Sequence, residues 1–161
     1  MPKQKVKEIA QMFSAADEKR VLDMVPRGIY INGVWKDAAD KKTLDVIDPA
    51  TGKPLVSIAD AAPADGLAAI DAAAAAQEAW AKTAPRERAE ILRAAFEKVT
   101  AMADDFALLM SLEMGKPFAE AKGEVAYGAE FLRWFSEEAV RVTGRYGTAP
   151  DGKNRIMVLK R

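Results

Sequence analysis

The 161-residue sequence contains no cysteine and no histidine. Without a thiol there is no disulfide, no thiolate nucleophile and no soft metal ligand. Without an imidazole, no side chain has an ordinary pKa near neutrality. Zinc centres built from cysteine or histidine, serine–histidine triads and cysteine–histidine dyads are therefore excluded. Any chemistry must run on carboxylates, lysines, tyrosines or a borrowed cofactor. An excess of either charge is also missing, with 24 basic and 24 acidic residues. That balance argues against a dedicated nucleic-acid face. No apolar run reaches the roughly 18 residues of a membrane span. Met1 to Arg20 is charged and lacks the apolar centre of a secretory signal. With 50% hydrophobic and 30% charged residues, the composition predicts a soluble globular domain, with a cytoplasmic location expected.

What is present is organised around two amphipathic helices between Pro85 and Val142. Leu92, Phe96, Val99, Ala103, Phe106 and Met110 recur in alternating steps of four and three. Phe118, Ala121, Val125, Gly128, Leu132, Phe135, Ala139 and Val142 continue the same rhythm. Such spacing draws one apolar stripe on each helix and predicts an antiparallel pair with Phe96 and Phe135 buried. The joint Glu113-Met114-Gly115-Lys116-Pro117 reads as a stop and a start. Gly115 suits a left-handed helix end, and Pro117 suits the next first turn. Asp104-Asp105 is a possible restart inside the first helix, and the sequence leaves that open.

Ahead of this pair, Lys3 to Val25 reads as a thin-striped helix carrying Val6, Ile9, Phe13 and Val21. Ile29-Tyr30-Ile31 and Val34-Trp35 flank Asn32-Gly33, the signal of a type I′ hairpin. Leu44 to Ile47 and Leu55 to Ile58 flank the turn cluster Asp48-Pro49-Ala50-Thr51-Gly52. A small antiparallel layer against the helices is expected. Asp65 is expected to cap a helix reaching Lys82, packed through Leu67, Ile70, Ala74 and Trp80. Thr83 is expected to cap the helix that Pro85 opens. After Thr143-Gly144, a glycine-containing turn region leads to Arg155 to Arg161. That tail is a strand by composition, and no strand partner is recognisable for it in this chain.

These residues, as an ordered set, resemble the opening of aldehyde dehydrogenases. The likeness rests on Tyr30-Ile31-Asn32-Gly33-x-Trp35, Val46 to Gly52, and Arg86-x-Arg88-Ala89-x-Ile91-Leu92. It continues through Leu112 to Pro117 and Gly123-Glu124-Val125-x-Tyr127. Leu112 to Glu124, with Phe131-Leu132-x-Trp134-Phe135-x-Glu137-Glu138, is most similar to NAD(P)-dependent succinate-semialdehyde dehydrogenases. The resemblance implies an α/β aldehyde-dehydrogenase-like fold, opening part only, divided as an extension over 1–28, a helix and hairpin part over 29–154, and the first strand of an oligomerisation hairpin over 155–161. It implies a parent enzyme that oxidises an aldehyde with NAD or NADP as a homo-oligomer. Family members continue well beyond this point, so a truncated chain without catalytic or cofactor-binding residues is expected.

The resemblance also implies roles for particular side chains. Glu124, Gly128 and Phe131 would lie along the mouth of the aldehyde tunnel. Ile47, through its carbonyl, and Glu113, through its carboxylate, would hold a monovalent cation. The plainer readings stand beside these. Glu113 and Lys116 also read as an ordinary helix end. Lys116, Glu120 and Glu124 also read as a solvated charge ladder. Tyr127, Phe131 and Trp134 form a second stripe that also reads as core. Gly128, in mid-helix, suggests a close backbone or a cavity. Gly144-x-x-Gly147 neither follows a strand nor opens a helix, which makes a phosphate cradle a weak reading. Two functions remain: an inactive opening piece of an oxidoreductase, or a non-catalytic module that pairs with intact relatives through its last strand.

Overall fold

The computed structural model describes residues 13–160. A short helix, α1 (Ala15–Met24), precedes the hairpins β1–β2 (Ile29–Ile31 and Val34–Lys36) and β3–β4 (Thr43–Ile47 and Pro54–Ala59). Then come α2 (Pro63–Lys82), α3 (Pro85–Ala101), α4 (Ala103–Met114) and α5 (Phe118–Glu138). A 3-10 turn (Ala139–Arg141) leads to the last hairpin, β5–β6 (Arg145–Thr148 and Arg155–Val158).

The helical pair forms as its spacing predicts, with α5 returning along both α3 and α4. Gly115 adopts φ 69° and ψ 15°, and its N–H donates to Ser111 O at 2.9 Å. Pro117 is extended at φ −55° and ψ 134°, so the next helix opens at Phe118. The restart left open by the aspartates is real. Met102 leaves helical geometry at φ −103° and ψ 17°, separating α3 from α4. Asp104 and Asp105 then sit in the first turn of α4, where negative charge is favoured.

Burial does not follow the strict four–three rhythm. On α5 the buried positions are Ala121, Val125, Ala129 and Ser136, and Phe135 is 53% exposed. The expectation of a buried Phe135 is therefore wrong; Phe96 is half-buried. A stripe of period 3.5 drifts by roughly 20° per heptad around a straight helix. The observed contact line steps mainly by four, as ridges do when two helices cross. It passes one residue beyond Gly128 and one beyond Phe135. On α4 the break at Met102 resets the phase, so Ala107 and Leu108 are buried while Phe106 lies outward. Ala107, Ala121 and Val125 form the core cluster, with Val99, Ala103, Met110 and Phe118 packed against it.

The strands form three separate antiparallel hairpins among the described residues, not one layer. Asn32 and Gly33 take φ 52° and 80°, the type I′ pattern expected there. Ala59 N–H at the end of β4 donates to Arg27 O, just ahead of β1, at 2.7 Å. The expectation of an unpartnered last strand is also corrected. β6 pairs with β5, Arg145 opposite Val158 and Thr148 opposite Arg155. It is the second arm of a hairpin within the chain, not a first arm awaiting one. Gly144 before β5 and Gly147 within it give that stretch the composition of a turn. Gly144 is required there: a Cβ would come 2.0 Å from Val158 O.

Of the helix expected from Lys3 to Val25, the described residues show α1, which Ser14 caps by accepting from Asp17 N–H. The earlier residues of that expectation, with Val6 and Ile9, lie outside the described ones. α1 docks on α4 through buried Val21 and through Arg20, whose Nη2 donates to Asp105 Oδ1 at 2.6 Å. That hydrogen bond from Arg20 holds the Asp105 carboxyl below its ordinary pKa.

Helix α2 forms as alanine propensity demands, but it is not closely packed. Leu67 and Ile70 are each 65% exposed among the described residues. Its cap also differs. Ala62 is the N-cap, and Asp65 sits inside the first turn. Asp65 is 5% exposed, and its Oδ2 accepts from Ala62 N–H and Ala39 N–H, each at 3.0 Å. One carboxylate thus ties the start of α2 to the connection before β3. Thr83 ends α2, and Ala84 is the cap before Pro85.

Replacing Asp65 by alanine strands two N–H donors whose bonds are part-buried. Thermal or urea unfolding of Asp65→Ala should show a loss of about 2–3 kcal/mol. Asp65→Asn keeps an acceptor and should lose less. Equal stability of Asp65→Ala and the parent chain would refute this assignment.

Candidate functional site

The α4–α5 joint is flanked in the sequence by two of the expected functional residues, Ile47 and Glu113. A Cβ built on Gly115 would lie 3.1 Å from Pro49 Cγ, so the Asp48–Gly52 turn rests directly on the joint. Ile47 and Glu113 flank this contact, Ile47 just before the turn and Glu113 just before Gly115. A register shift between Val46 and Ile47 marks the end of β3. Glu113 is exposed in the last turn of α4. Among the described residues no three acidic side chains cluster as a metal site would need. A cation here would rest on one carboxylate and backbone carbonyls, which suits a weakly held monovalent ion and not a divalent one. The adjacent Asp48 is not a spare ligand. The Thr51 hydroxyl and the Ala50 N–H both donate to it, at 2.7 and 2.8 Å, and hold its carboxyl below the ordinary pKa.

The tunnel candidates Glu124, Gly128 and Phe131 share one face of α5, spaced by four and three. Phe131 stands in an apolar groove with Tyr127, Trp134 and Phe135, its ring edge-on to Tyr127 at 5.0 Å. Glu124 and Gly128 lie outside that groove. The expected ladder from Lys116 to Glu120 is not formed. Lys116 Nζ instead pairs with Glu124. Lys116 precedes the extended Pro117, so its long stem can reach along α5 past Glu120. The pair neutralises the one carboxylate among the tunnel candidates. Nor does any backbone press on Gly128: a Cβ there would meet nothing within 4 Å. Neither close approach nor a formed cavity accounts for this glycine among the described residues. The aromatic second stripe is not core either, since Tyr127, Phe131 and Trp134 are all exposed.

The serines offer no nucleophile. Ser14 donates to Asp17 at 2.7 Å, and Ser57 donates to Asp45. Ser111 and Ser136 donate to the carbonyls of Ala107 and Arg133, at 2.9 and 2.6 Å. The first two are exposed and the last two are bound to helix backbone, and none faces the apolar groove. A dinucleotide's pyrophosphate is commonly held at a glycine-rich turn from a parallel strand into a helix. Every described strand belongs to an antiparallel hairpin, and Gly144 and Gly147 serve the last of them.

Comparison with known proteins gives this arrangement a context. Residues 35–161 match the aldehyde dehydrogenase family. The chain is 68% identical over 104 residues to a succinate-semialdehyde dehydrogenase of Paenarthrobacter nicotinovorans, covering 65% of this chain and 23% of that protein. It is 45% identical over 133 residues to a glutarate-semialdehyde dehydrogenase of Pseudomonas aeruginosa, covering 81% and 27%. Its fold superimposes on a crystal structure of succinate-semialdehyde dehydrogenase from Burkholderia pseudomallei with a TM-score of 0.78. That match has 41% identity and covers 91% of this chain and 29% of the other. The chain thus spans about a quarter of the length of the relatives it matches.

The open space over Gly128 has a measurable consequence. Gly128→Ala should stabilise the 161-residue chain by about 0.5–1 kcal/mol, because alanine loses less freedom in a helix and nothing obstructs its methyl group. Denaturant unfolding measures this, and a destabilised variant would mean that the site is packed.

Proposed function

We propose, since this chain belongs to the aldehyde dehydrogenase family, that it forms the opening part of an oxidoreductase converting an aldehyde to its carboxylic acid with NAD or NADP. The observation that carries this reading is the ordered match over residues 35–161. Succinate semialdehyde is the substrate of choice, because the identity is high to a relative named for it. A five-carbon semialdehyde is the natural competitor, given the relative named for glutarate semialdehyde. A cytoplasmic location and a homo-oligomeric parent belong to the same proposal.

Within that enzyme, Phe131 would supply an apolar wall to the substrate path. Glu124 and Gly128 would border its mouth, and Ile47 and Glu113 would hold a monovalent cation against the joint. The Lys116–Glu124 pair bears on the substrate. A bare carboxylate at the mouth would repel an aldehyde that ends in a carboxylate, and the lysine cancels that charge. Oxidation in this family begins with a nucleophile adding to the carbonyl carbon, after which hydride passes to the cofactor. This sequence holds no cysteine to begin it and no histidine to activate a serine. The 161 residues by themselves should therefore be inactive.

Purified chain incubated with succinate semialdehyde and NAD or NADP is expected to produce no reduced cofactor above a buffer blank. Absorbance of the reduced nicotinamide reports it. Turnover that survives removal of host dehydrogenases would sink the reading of an inactive piece.

A second reading, a non-catalytic module that pairs with intact relatives, draws on one observation. The β5–β6 hairpin is exposed throughout, and Ile156, Met157, Val158 and Leu159 all face solvent among the described residues. Apolar open edges of this kind recruit further strands. Sizing by light scattering should show self-association of the parent chain that Ile156→Lys abolishes. Lysine at this position faces Gly147, so it adds no like-charge clash within the hairpin. A monomeric parent chain would count against pairing through this edge.

A further inference from the structure

The apolar groove beside Phe131 does not end at Trp134 and Phe135. Both side chains also line a second hollow of about 480 Å³, which takes in Val142 and, beyond β6, Lys160. The two hollows differ in charge. Glu130 is the one charged residue lining the first, and Arg133 Nε donates to it at 2.8 Å. Glu138, Arg141 and Lys160 line the second. Arg141 donates to Glu138 at 2.7 Å, so that pair is neutral, and Lys160 takes no part in an ion pair among the described residues. One unpaired positive charge is thus left at one end of an aromatic strip. The strip is open to solvent, since Tyr127, Phe131, Trp134, Phe135 and Lys160 are all exposed. Between Tyr127 and Trp134 the helix rises by about 10 Å.

We propose that the joined hollows bind a linear amphiphile with one anionic head, a medium-chain carboxylate such as octanoate. The carboxylate meets Lys160, and the alkyl chain lies over Trp134 and Phe135 toward Phe131 and Tyr127. Charge complementarity selects a monoanion, because the remaining charged lining residues are already paired within the chain. The aromatic strip selects an alkyl chain over a short acid, which would leave that surface wet. A second carboxylate at the far end of the ligand would have to rest on aromatic surface, which disfavours a dianion. Binding of this kind does not depend on the substrate path assigned to Phe131.

The test uses the 161-residue chain, labelled with nitrogen-15 and titrated with octanoate below its micellar concentration. The indole N–H resonances of Trp35, Trp80 and Trp134 are followed. All three rings are exposed, so Trp35 and Trp80 report indiscriminate adsorption. Octanoate should shift Trp134 saturably and leave the other two in place. Equal shifts of all three would overturn the site. Hexanoate, shorter by two methylenes, should bind roughly fivefold more weakly, since an open groove covers each methylene on one side only. Equal affinity of the two acids would overturn the placement of the chain along the strip. Octanol, which lacks the charge, should bind roughly threefold more weakly than octanoate, as suits an exposed charge pair. Lys160→Glu, a substitution at an exposed residue beyond β6, should reverse that order. A variant that still prefers octanoate to octanol would overturn the role of Lys160.

Discussion

The crossing of α4 and α5 is the constraint on which the other elements depend. Ala107 and Ala121 meet there with no exposed surface, and Val125 closes the contact. Methyl side chains let two backbones approach closely, so Val99, Met110 and Phe118 can surround them. Packing at this density tolerates little change in volume. α1 is laid on α4, and just ahead of it Phe13 meets the ring of Phe118, the first residue of α5, at 4.6 Å. The Asp48–Gly52 turn is seated on Gly115, where the two helices join. Displacing that crossing would move the platform for both.

A core made of alanine and valine has a consequence for the surface. No large side chain in the described residues is completely buried. The helices bury their small residues against each other and turn aromatic ones outward, as α5 does with Tyr127, Phe131 and Trp134. α2 goes further and leaves its leucine and isoleucine in solvent. Contiguous apolar surface of this kind marks a face that another polypeptide or ligand meets. A chain spanning about a quarter of its relatives has much of that family's fold outside it, which accords with such faces.

Ion pairs refine this arrangement without carrying it. Most join residues three or four apart on one helix, as Arg93 and Glu97 do on α3. Such exposed pairs contribute little to stability. The few that connect elements have a positional role. Arg20 and Asp105 set α1 on α4, Lys122 and Asp104 link α5 to α4 at 2.7 Å, and Lys116 and Glu124 tie the joint to its helix.

Much of this protein was legible in its residues alone. The alternation of apolar positions announced the helical pair, Gly115 its turn, and Asn32-Gly33 the first hairpin, because each depends on dihedral preference or local spacing. The ordered motifs from Tyr30 to Glu138 announced the family in the same way. Tertiary structure decided which side of each stripe is buried. Phe135 and Ala129 differ only by where the contact line of a second helix falls, and no local preference encodes that line. It also decided that Lys116 reaches Glu124, that Asp65 binds the chain before β3 as well as its own helix, and that β5 partners β6. Each of these joins residues whose neighbours in space are not set by their neighbours in sequence. A period read along one helix shows that a face exists, and only the packed partner shows which residues that face buries.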